Sequence, residues 1–493
     1  MHQALFERSQ ETMITNAPMD TLPSSERVKT LRWSFLAVIG MLVSLVSFVS
    51  PLGSVIFASS GLFIWASLAR PRLPLYLVII LLTYASIQVR LWGDVKVFFT
   101  LTEVAIVFLT LIWLITRHTV TSINHQRLRD HLPLVLLVLS GWASLTWTDA
   151  YAFGFYYMVM FQIGIVLFFV TIELLTDFRS IMTSIYILVG AGVINASICF
   201  YSLVSKNSIE DTLYVLNEHQ LLYLFNPESL LRGQGFMHPL FTAYYLSVCL
   251  MLLFGIIYTS NVFARFPLSL LIFVCFVALL TTLSKGPLLS FLCGFFVLML
   301  WNQWMNKNLI VVCTLLIAAI IIGFMVSRLP TDDLSKALDY TSKTSTQTKD
   351  ESSSLGSRIK RWKLGVRDIF DSHGMGTGSG GFYEGIKPDY AYDNVYLHIL
   401  TDYGFLGMWL YMWFIFKSFV KFIDAYKRCK IDLYKRWIKI YIATFVTLLM
   451  NGFTSLTHTI AFIWFFVGLG YALSNIAVAE NRNDSLEETQ CSL

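Results

Sequence analysis

The chain has 493 residues, of which 56% are hydrophobic and only 14% are charged, and its formal net charge is +5. Soluble domains usually contain about 25% charged residues, so a soluble protein of this composition could not cover its surface. Its roughly 276 apolar residues would fill on the order of fourteen membrane-spanning helices of about 20 residues each. The apolar runs are continuous, unlike the alternating segments of barrel strands. The composition predicts an all-α polytopic membrane protein.

Fourteen spans are predicted with a window of about 19 residues. They lie near 33–50, 53–69, 73–89, 98–116, 132–148, 153–172, 181–204, 236–258, 266–283, 286–303, 309–326, 396–416, 438–456 and 459–478. The resulting organisation is a tail at 1–32, a transmembrane bundle at 33–204, a long loop at 205–235, further spans at 236–326, a second long loop at 327–395, spans at 396–478 and a tail at 479–493. We expect amphipathic helices in the two long loops.

Basic residues predict which side of the membrane each loop occupies. The polar N-terminal tail leads into a full-length span without a cleavable signal, which is typical of a signal-anchor with its tail inside. With an even number of spans, both termini are then cytosolic. The inner loops carry sixteen Lys and Arg residues, against three in the short outer loops, as the positive-inside rule requires. The basic segment from Lys417 to Lys439 is interpreted as part of this anchor, with binding of anionic lipid as the alternative.

The charge distribution and the cysteines exclude other classes of protein. The net charge of +5 arises from segments that flank the membrane, so we expect no binding to nucleic acid. Five of the seven cysteines lie in apolar runs and two in segments predicted to be cytosolic. None lies in the long outer loops, so no disulfide framework is predicted.

Two cations stand at the outer ends of predicted spans. Arg232 precedes the span at 236–258 in the sequence Arg-Gly-Gln-Gly, where it suits an anionic headgroup or anchors the interface as a snorkelling side chain. Lys285 lies in a turn at a predicted helix N-terminus, whose free N–H groups and dipole also favour anions. An ordinary turn lysine is the alternative for Lys285.

The second long loop contains a predicted amphipathic helix around residues 357–370. Apolar residues at 359, 362, 366 and 369 share one helical face, and five basic residues occur between 358 and 367. Such a helix is expected to lie on the outer membrane surface. Arg358 and Arg361 are three residues apart and project together. This pattern therefore predicts a helix that either binds phosphate groups or only attaches to lipid headgroups.

A glycine-rich run follows at residues 374–382. Gly376, Gly378 and Gly381 satisfy the pattern G-x-G-x-x-G, but the strand and βαβ context of a dinucleotide site are missing. We therefore reject a Rossmann fold. Consecutive N–H groups could instead form an anion-binding nest, with a flexible hinge as the alternative.

Polar residues also introduce the span at 396–416. Asp393 and Asn394 stand at the membrane surface, where a carboxylate could act as a general base. Either residue could also cap the helix, and the two roles are compatible. His398 lies about one turn deeper and is interpreted as a packed or hydrogen-bonded residue in preference to a ligand.

The outer loops favour a particular chemistry. They contain no cluster of His and Cys with the spacing of a metal site, so we predict neither a metal nor another cofactor. Arginine and lysine side chains that act without a metal suit a lipid diphosphate leaving group. Guanidinium groups bind phosphate oxygens in a bidentate manner and stabilise the charge that develops when the sugar–phosphate bond breaks.

The order of these motifs resembles the O-antigen ligase and polymerase superfamily of bacterial inner-membrane glycosyltransferases. The resemblance extends from about residue 232 to 407. It depends on Arg232-Gly-x-Gly with His238-Pro239, Thr282-x-Ser284-Lys285-Gly286, Arg358-x-x-Arg361-Trp362, Gly374-x-Gly376-x-Gly378, and Asp393-Asn394-x-x-Leu397 with Gly404-x-x-Gly407.

The resemblance implies metal-independent, inverting transfer of a glycan from undecaprenyl diphosphate to an acceptor hydroxyl at the periplasmic face. It implies that cations hold the diphosphate, with Arg232 at one such position and Lys285 at another, where arginine is usual. We assign Arg232, Lys285, Arg358, Arg361 and Asn394 to the diphosphate, and Asp393, Arg232 and Arg361 to catalysis.

Three functions remain as hypotheses. In ligases the residue before the asparagine is usually histidine, so Asp393 favours a polysaccharide polymerase, which would work with a flippase and a chain-length regulator. The second hypothesis is a ligase that passes the glycan to a lipid A core. The third is a transporter or flippase, which requires ionisable residues deep in several spans. The clearest candidate is Glu103, which lies only about one turn from the outer end of its predicted span.

Overall fold

The computed structural model of the chain describes residues 51–84, 88–90, 98–117, 131–204, 239–260, 262–282, 284–300, 354–381, 394–454 and 460–491. The predicted spans at 33–50 and 309–326, the loop at 205–235, the tail at 1–32 and residues 492–493 lie outside these residues, whereas residues 479–491 of the predicted C-terminal tail are helical. Arg232 and Asp393 also lie outside the described residues. The other twelve predicted spans coincide with helices in whole or in part.

The described residues form thirteen α-helices. They are α1 (Pro51–Ala69), α2 (Arg72–Leu81), α3 (Leu101–Arg117), α4 (Leu132–Ser144), α5 (Tyr151–Leu174), α6 (Phe178–Val204), α7 (Pro239–Thr259), α8 (Val262–Thr281), α9 (Lys285–Leu300), α10 (Ser354–Asp371), α11 (Val395–Arg428), α12 (Asp432–Asn451) and α13 (Ala461–Cys491). A short 3-10 helix, Leu82–Tyr84, follows α2.

One small sheet departs from the all-α prediction. Strands β1 (Gln88–Arg90) and β2 (Phe98–Thr100) pair antiparallel, with Val89 opposite Phe99. The rest of the described secondary structure is helical, which confirms the predicted class.

Six described helices are long and apolar enough to cross a membrane. They are Tyr151–Leu174, Phe178–Phe200, Leu240–Thr259, Phe263–Thr281, Val395–Arg428 and Ala461–Glu480. Five further apolar helices of 10–17 residues are Ser59–Ala69, Arg72–Leu81, Leu101–Thr116, Leu132–Ser144 and Lys285–Leu300. These helices support a polytopic membrane protein, and the number fourteen stays a prediction.

The chain divides into two compact units. The described part of the first unit comprises residues 51–74 and 108–117, in which the rings of Phe63 and Phe108 lie 5.9 Å apart. The second unit contains α4 to α13 together with residues 75–107 as far as they are described. All motifs discussed below belong to the second unit.

Helix α7 is the central helix of the second unit, where it packs against α6, α8, α9 and α12. Almost all of its side chains are buried, and its sequence is apolar on every side. An all-round apolar helix is typical of a position inside a bundle. Helices α5 and α13 form another close pair, because Gly164 leaves room for the indole of Trp464.

Basic side chains collect at one end of the second unit. Arg436, near the start of α12, lies 5.3 Å from the ring of Tyr258 at the end of α7. Tyr434 lies 4.5 Å from Phe178 at the start of α6. We call this end, which includes the turn between α11 and α12, the basic end. Lys285 lies by the other end of α12, as described below, so the predicted inner and outer cations are separated by the length of that helix.

Candidate functional site

Three helix termini meet at the end of α12 that is far from the basic end. The N–H of Val395, the first residue of α11, donates to Gly452 O at 2.8 Å. The hydroxyl of Tyr244 in α7 lies 3.0 Å from Thr454 Oγ1 and donates to Asn451 O at 3.2 Å. A side chain at Gly286 would collide with Thr454, so the start of α9 also lies here. We call this region the Lys285 end.

Lys285 and Asn394 occupy defined positions at the Lys285 end. Lys285 is the first residue of α9, and it is exposed. Asn394 caps α11, because its Oδ1 accepts the N–H groups of Tyr396 and Leu397 at 3.0 and 3.1 Å. Because the side-chain oxygen of Asn394 accepts these two N–H groups, the side-chain nitrogen is the atom that could donate to a ligand.

Two predicted site residues, Asp393 and Arg232, lie outside the described residues. Asp393 directly precedes the cap residue Asn394. Arg232 precedes Pro239, the start of α7, by seven residues, and Tyr244 places the first turns of α7 at the Lys285 end. Their roles stay predictions.

The predicted amphipathic helix is present as α10, and its apolar residues differ in burial. Gly365 and Ile369 are buried, and α10 packs on α11. Ile359, Val366 and Phe370 are 40%, 45% and 72% exposed. Residues 359, 362, 366 and 369 therefore share a helical face but differ in burial, and the position of this helix on the membrane surface stays a prediction. The helix buries one edge against the protein and leaves a second apolar edge exposed.

The arginines of α10 have different surroundings. Arg358 and Arg361 are partly buried. Arg367 is largely exposed and forms an ion pair with Asp371, with Nε 3.3 Å from Oδ2. The first two arginines therefore fit the predicted phosphate-binding role better than Arg367.

The segment that follows α10, which we call the glycine loop (residues 374–381), does not form an anion nest. Each of its eight N–H groups donates to an acceptor in the protein. The acceptors, in chain order, are Ile369 O, Ser372 O, Ser372 Oγ, Thr401 O, Asp402 O, Ser144 Oγ, Asp402 Oδ2 and Gly378 O. A nest needs free N–H groups that converge on an anion, so the nest hypothesis is wrong, and these contacts favour a fixed loop over a flexible hinge.

Close backbone contacts explain why this loop contains so many glycines. Gly376 and Gly380 have φ values of +83° and +74°, a region that other residues rarely adopt. A Cβ on Gly376 would lie 2.6 Å from Gly404 N, and one on Gly380 would lie 2.6 Å from Gly154 N at the start of α5. The loop is thus wedged between α11 on one side and the α4–α5 connection on the other.

Helix α11 is broken at the point where the glycine loop meets it. Gly404 has φ 66° and ψ −164°, which no helix residue adopts. The break prevents the carbonyls of Thr401 and Asp402 from continuing the helical ladder, and they accept the N–H groups of Thr377 and Gly378 at 2.7 and 3.1 Å. Phe405, the next residue, donates its N–H to Gly374 O at 3.0 Å. The loop therefore satisfies both sides of the break.

A buried ionisable pair lies between the cap of α11 and its break. His398 and Asp402 are 0% and 1% exposed, and His398 Nε2 lies 3.3 Å from Asp402 Oδ2. The same carboxylate oxygen accepts the N–H of Gly380 at 3.3 Å. His398 therefore is a packed and paired residue, in agreement with the sequence interpretation.

Sequence reasoning missed Asp402. Its spacing of four residues from His398 was a signal, because residues at i and i+4 share a helical face. Asn394, His398 and Asp402 follow one another at this spacing from the cap inwards.

A family model matches the part of the chain that contains these elements. Residues 268–412 match the family model described as O-antigen ligase (Wzy_C). The match confirms the resemblance to the O-antigen ligase and polymerase superfamily, and it includes Lys285, α10, the glycine loop and the broken part of α11. Arg232 lies outside it. A comparison with curated proteins gives no match.

Family and fold together support a coarse assignment. The matched stretch and the long apolar helices support a membrane protein with a glycosyltransferase-like activity of the O-antigen ligase or polymerase type.

Proposed function

We propose that this protein is a polysaccharide polymerase of the bacterial inner membrane. It transfers a growing glycan from undecaprenyl diphosphate to a lipid-linked repeat unit, at the periplasmic face. In this proposal both termini are cytosolic, the basic end faces the cytosol, and the Lys285 end faces the periplasm. A flippase supplies the repeat units, and a chain-length regulator acts on the product.

The observation that carries this proposal is the convergence of the starts of α7, α9 and α11 on the end of α12. Lys285 and the cap residue Asn394 both lie there, at the end of α12 far from the basic end. α10, with Arg358 and Arg361, packs on the same α11. A lipid diphosphate carries its charge at the membrane surface, where these groups would meet it.

The proposed reaction is a displacement at the anomeric carbon. The acceptor hydroxyl attacks this carbon, its proton passes to the carboxylate of Asp393, and the bond from the carbon to the diphosphate oxygen breaks. Lys285, Arg232, Arg358, Arg361 and Asn394 bind the diphosphate in this proposal. Cations at this position stabilise the negative charge that develops on the leaving group.

A ligase that transfers the glycan to a lipid A core is the second candidate. Asp393 favours the polymerase, because the resemblance places a histidine at this position in ligases. Deletion of the gene distinguishes the two functions. Loss of a polymerase leaves single repeat units on the carrier and on the lipid A core, whereas loss of a ligase leaves long polymer on undecaprenyl diphosphate.

Lys285 allows a test of the binding role. Lys285→Gln removes a charge-assisted contact worth about 1.5–3 kcal/mol, so we expect the KM for the lipid-linked donor to rise about tenfold or more. Lys285→Arg restores the charge and adds the bidentate fork, and we expect a KM at or below that of the wild type. KM is measured with purified enzyme and a lipid-linked repeat unit.

Lys427→Gln is the matched control for Lys285→Gln, because this exposed lysine lies at the basic end. It should leave KM unchanged. An equal change of KM in the two glutamine variants would show that Lys285 does not bind the donor specifically.

A further inference from the structure

We propose that Asp402 is a positioning residue: with His398 it fixes the glycine loop against the break in α11, and this loop fixes α10 and its arginines relative to Asn394. The inference rests on the proposed function in one respect only, namely that the arginines of α10 bind the donor. The attachment of the loop by Asp402 is independent of it.

The surroundings of Asp402 are unusual for a residue that only packs. Its side chain is 1% exposed, and Oδ2 accepts the N–H of Gly380 at 3.3 Å and lies 3.3 Å from His398 Nε2. Within the described residues Oδ1 has no hydrogen-bond partner. Burial of a carboxylate is costly unless it is paired and hydrogen-bonded. Among the described residues, the groups that contact this carboxylate belong to the glycine loop and to His398.

The break in α11 makes the same connection through the backbone. Thr377 and Gly378 donate their N–H groups to the freed carbonyls of Thr401 and Asp402. Asp402 therefore contacts the loop twice, through its carbonyl and through its side chain. The loop is also held from the other side, since Ser144 Oγ accepts the N–H of Ser379 at 3.0 Å.

A short, hydrogen-bonded connection joins the end of α10 to the glycine loop. Gly374 donates its N–H to Ile369 O at 2.8 Å, and Ser372 Oγ accepts the N–H of Gly376 at 3.2 Å. Only two residues separate the end of α10 at Asp371 from Gly374. A displacement of the loop at Gly380 is therefore transmitted to α10, which carries Arg361.

Limited proteolysis tests the attachment without any assay of activity. The protein in lipid nanodiscs is treated with trypsin, which cleaves after the basic residues of α10. Asp402→Ala should accelerate this cleavage about tenfold or more. Asp402→Asn keeps an oxygen that accepts from Gly380 and should stay close to the wild type. Ser418→Ala is the control, because it removes a different buried polar group of α11, a hydroxyl that bonds to Phe414 O and Tyr471.

A double-mutant cycle tests the effect on the arginines. We expect Asp402→Ala to raise the KM for a lipid-linked donor about tenfold in the wild type and less than twofold when Arg361 is already alanine. Asp402→Asn should restore the wild-type KM. If Asp402→Ala fails to accumulate, Ser144→Ala loosens the same loop from its other side and should show the same non-additivity with Arg361→Ala.

The outcomes separate the two proposals. Unchanged trypsin cleavage in Asp402→Ala overturns the positioning role, and so do fully additive effects on KM when Arg361→Ala itself raises KM. So does an Asp402→Asn variant with wild-type cleavage and no turnover, since the carboxylate would then act in the chemistry itself. If the proposed function is wrong, Arg361→Ala leaves KM unchanged, while faster cleavage of Asp402→Ala still supports the attachment.

Discussion

Replacement of Arg361 by alanine should abolish long polysaccharide chains while the protein stays folded in the membrane. Arg361 is partly buried on α10, which packs on α11. Removal of one donor to a developing anion typically slows a reaction on the order of 100-fold. Arg361→Lys keeps the charge but loses the bidentate fork, so its chains should be of intermediate length. Arg232→Ala should behave like Arg361→Ala. Chain length is measured by gel electrophoresis of the glycans from a complemented deletion strain.

Arg367→Ala is the matched control for Arg361→Ala. It removes the same type of side chain from the same helix, but Arg367 is exposed and paired with Asp371. We expect chains of wild-type length. Wild-type chain lengths in both Arg232→Ala and Arg361→Ala would show that the diphosphate is bound elsewhere.

Gly404→Val should prevent accumulation of the folded protein. The backbone at Gly404 has a combination of φ and ψ that is accessible essentially to glycine alone, which costs another residue on the order of 1–3 kcal/mol. In addition, a Cβ at this position would overlap with Gly374 O and Met375 of the glycine loop. The substitution therefore both strains α11 and displaces the loop. The measurements are the amount of protein in the membrane and its melting temperature in detergent.

Gly190→Ala is the control for the glycine substitution. Gly190 lies within α6, and a Cβ added there meets no atom within 4 Å. The variant should accumulate like the wild type, because alanine favours a helix interior by about 0.5–1 kcal/mol over glycine. If Gly404→Val is as stable as Gly190→Ala, the break in α11 is not required for the fold.

Hydrophobic runs predicted the helices well, because the burial of apolar side chains in a membrane or a bundle depends on segment length and composition. The position of Lys285 at a helix start followed from the turn that precedes it. The helix around Arg358 and Arg361 followed from its periodicity, although the division of its apolar residues into two edges did not. That division depends on α11, a partner that no local pattern identifies.

The structure of the glycine loop could not be predicted from the sequence. Its composition is compatible with an anion nest, a flexible hinge or a loop packed between two helices. Which of these forms depends on hydrogen-bond acceptors that are distant in sequence, at Ser144, Thr401 and Asp402. The carbonyls of Thr401 and Asp402 are available to the loop because α11 breaks at Gly404. A sequence alone does not indicate that one segment supplies hydrogen bonds that another segment lacks.

The buried pair of His398 and Asp402 bears on the transporter hypothesis. That hypothesis requires ionisable residues deep in several spans. Here the pair lies within two turns of the start of α11, and Asp402 accepts a hydrogen bond from the glycine loop. Glu103 lies in the first turn of α3. The positions of these residues near helix ends favour the enzyme over a transporter.

Reconstitution of the purified protein tests the polymerase proposal most directly. Liposomes that contain the protein are supplied with lipid-linked repeat units, and the glycans are separated by size. The proposal predicts a ladder of products longer than one repeat unit, with release of undecaprenyl diphosphate and with no lipid A core present. Transfer that occurs only when a lipid A core is added, in a single step and without a ladder, would contradict it.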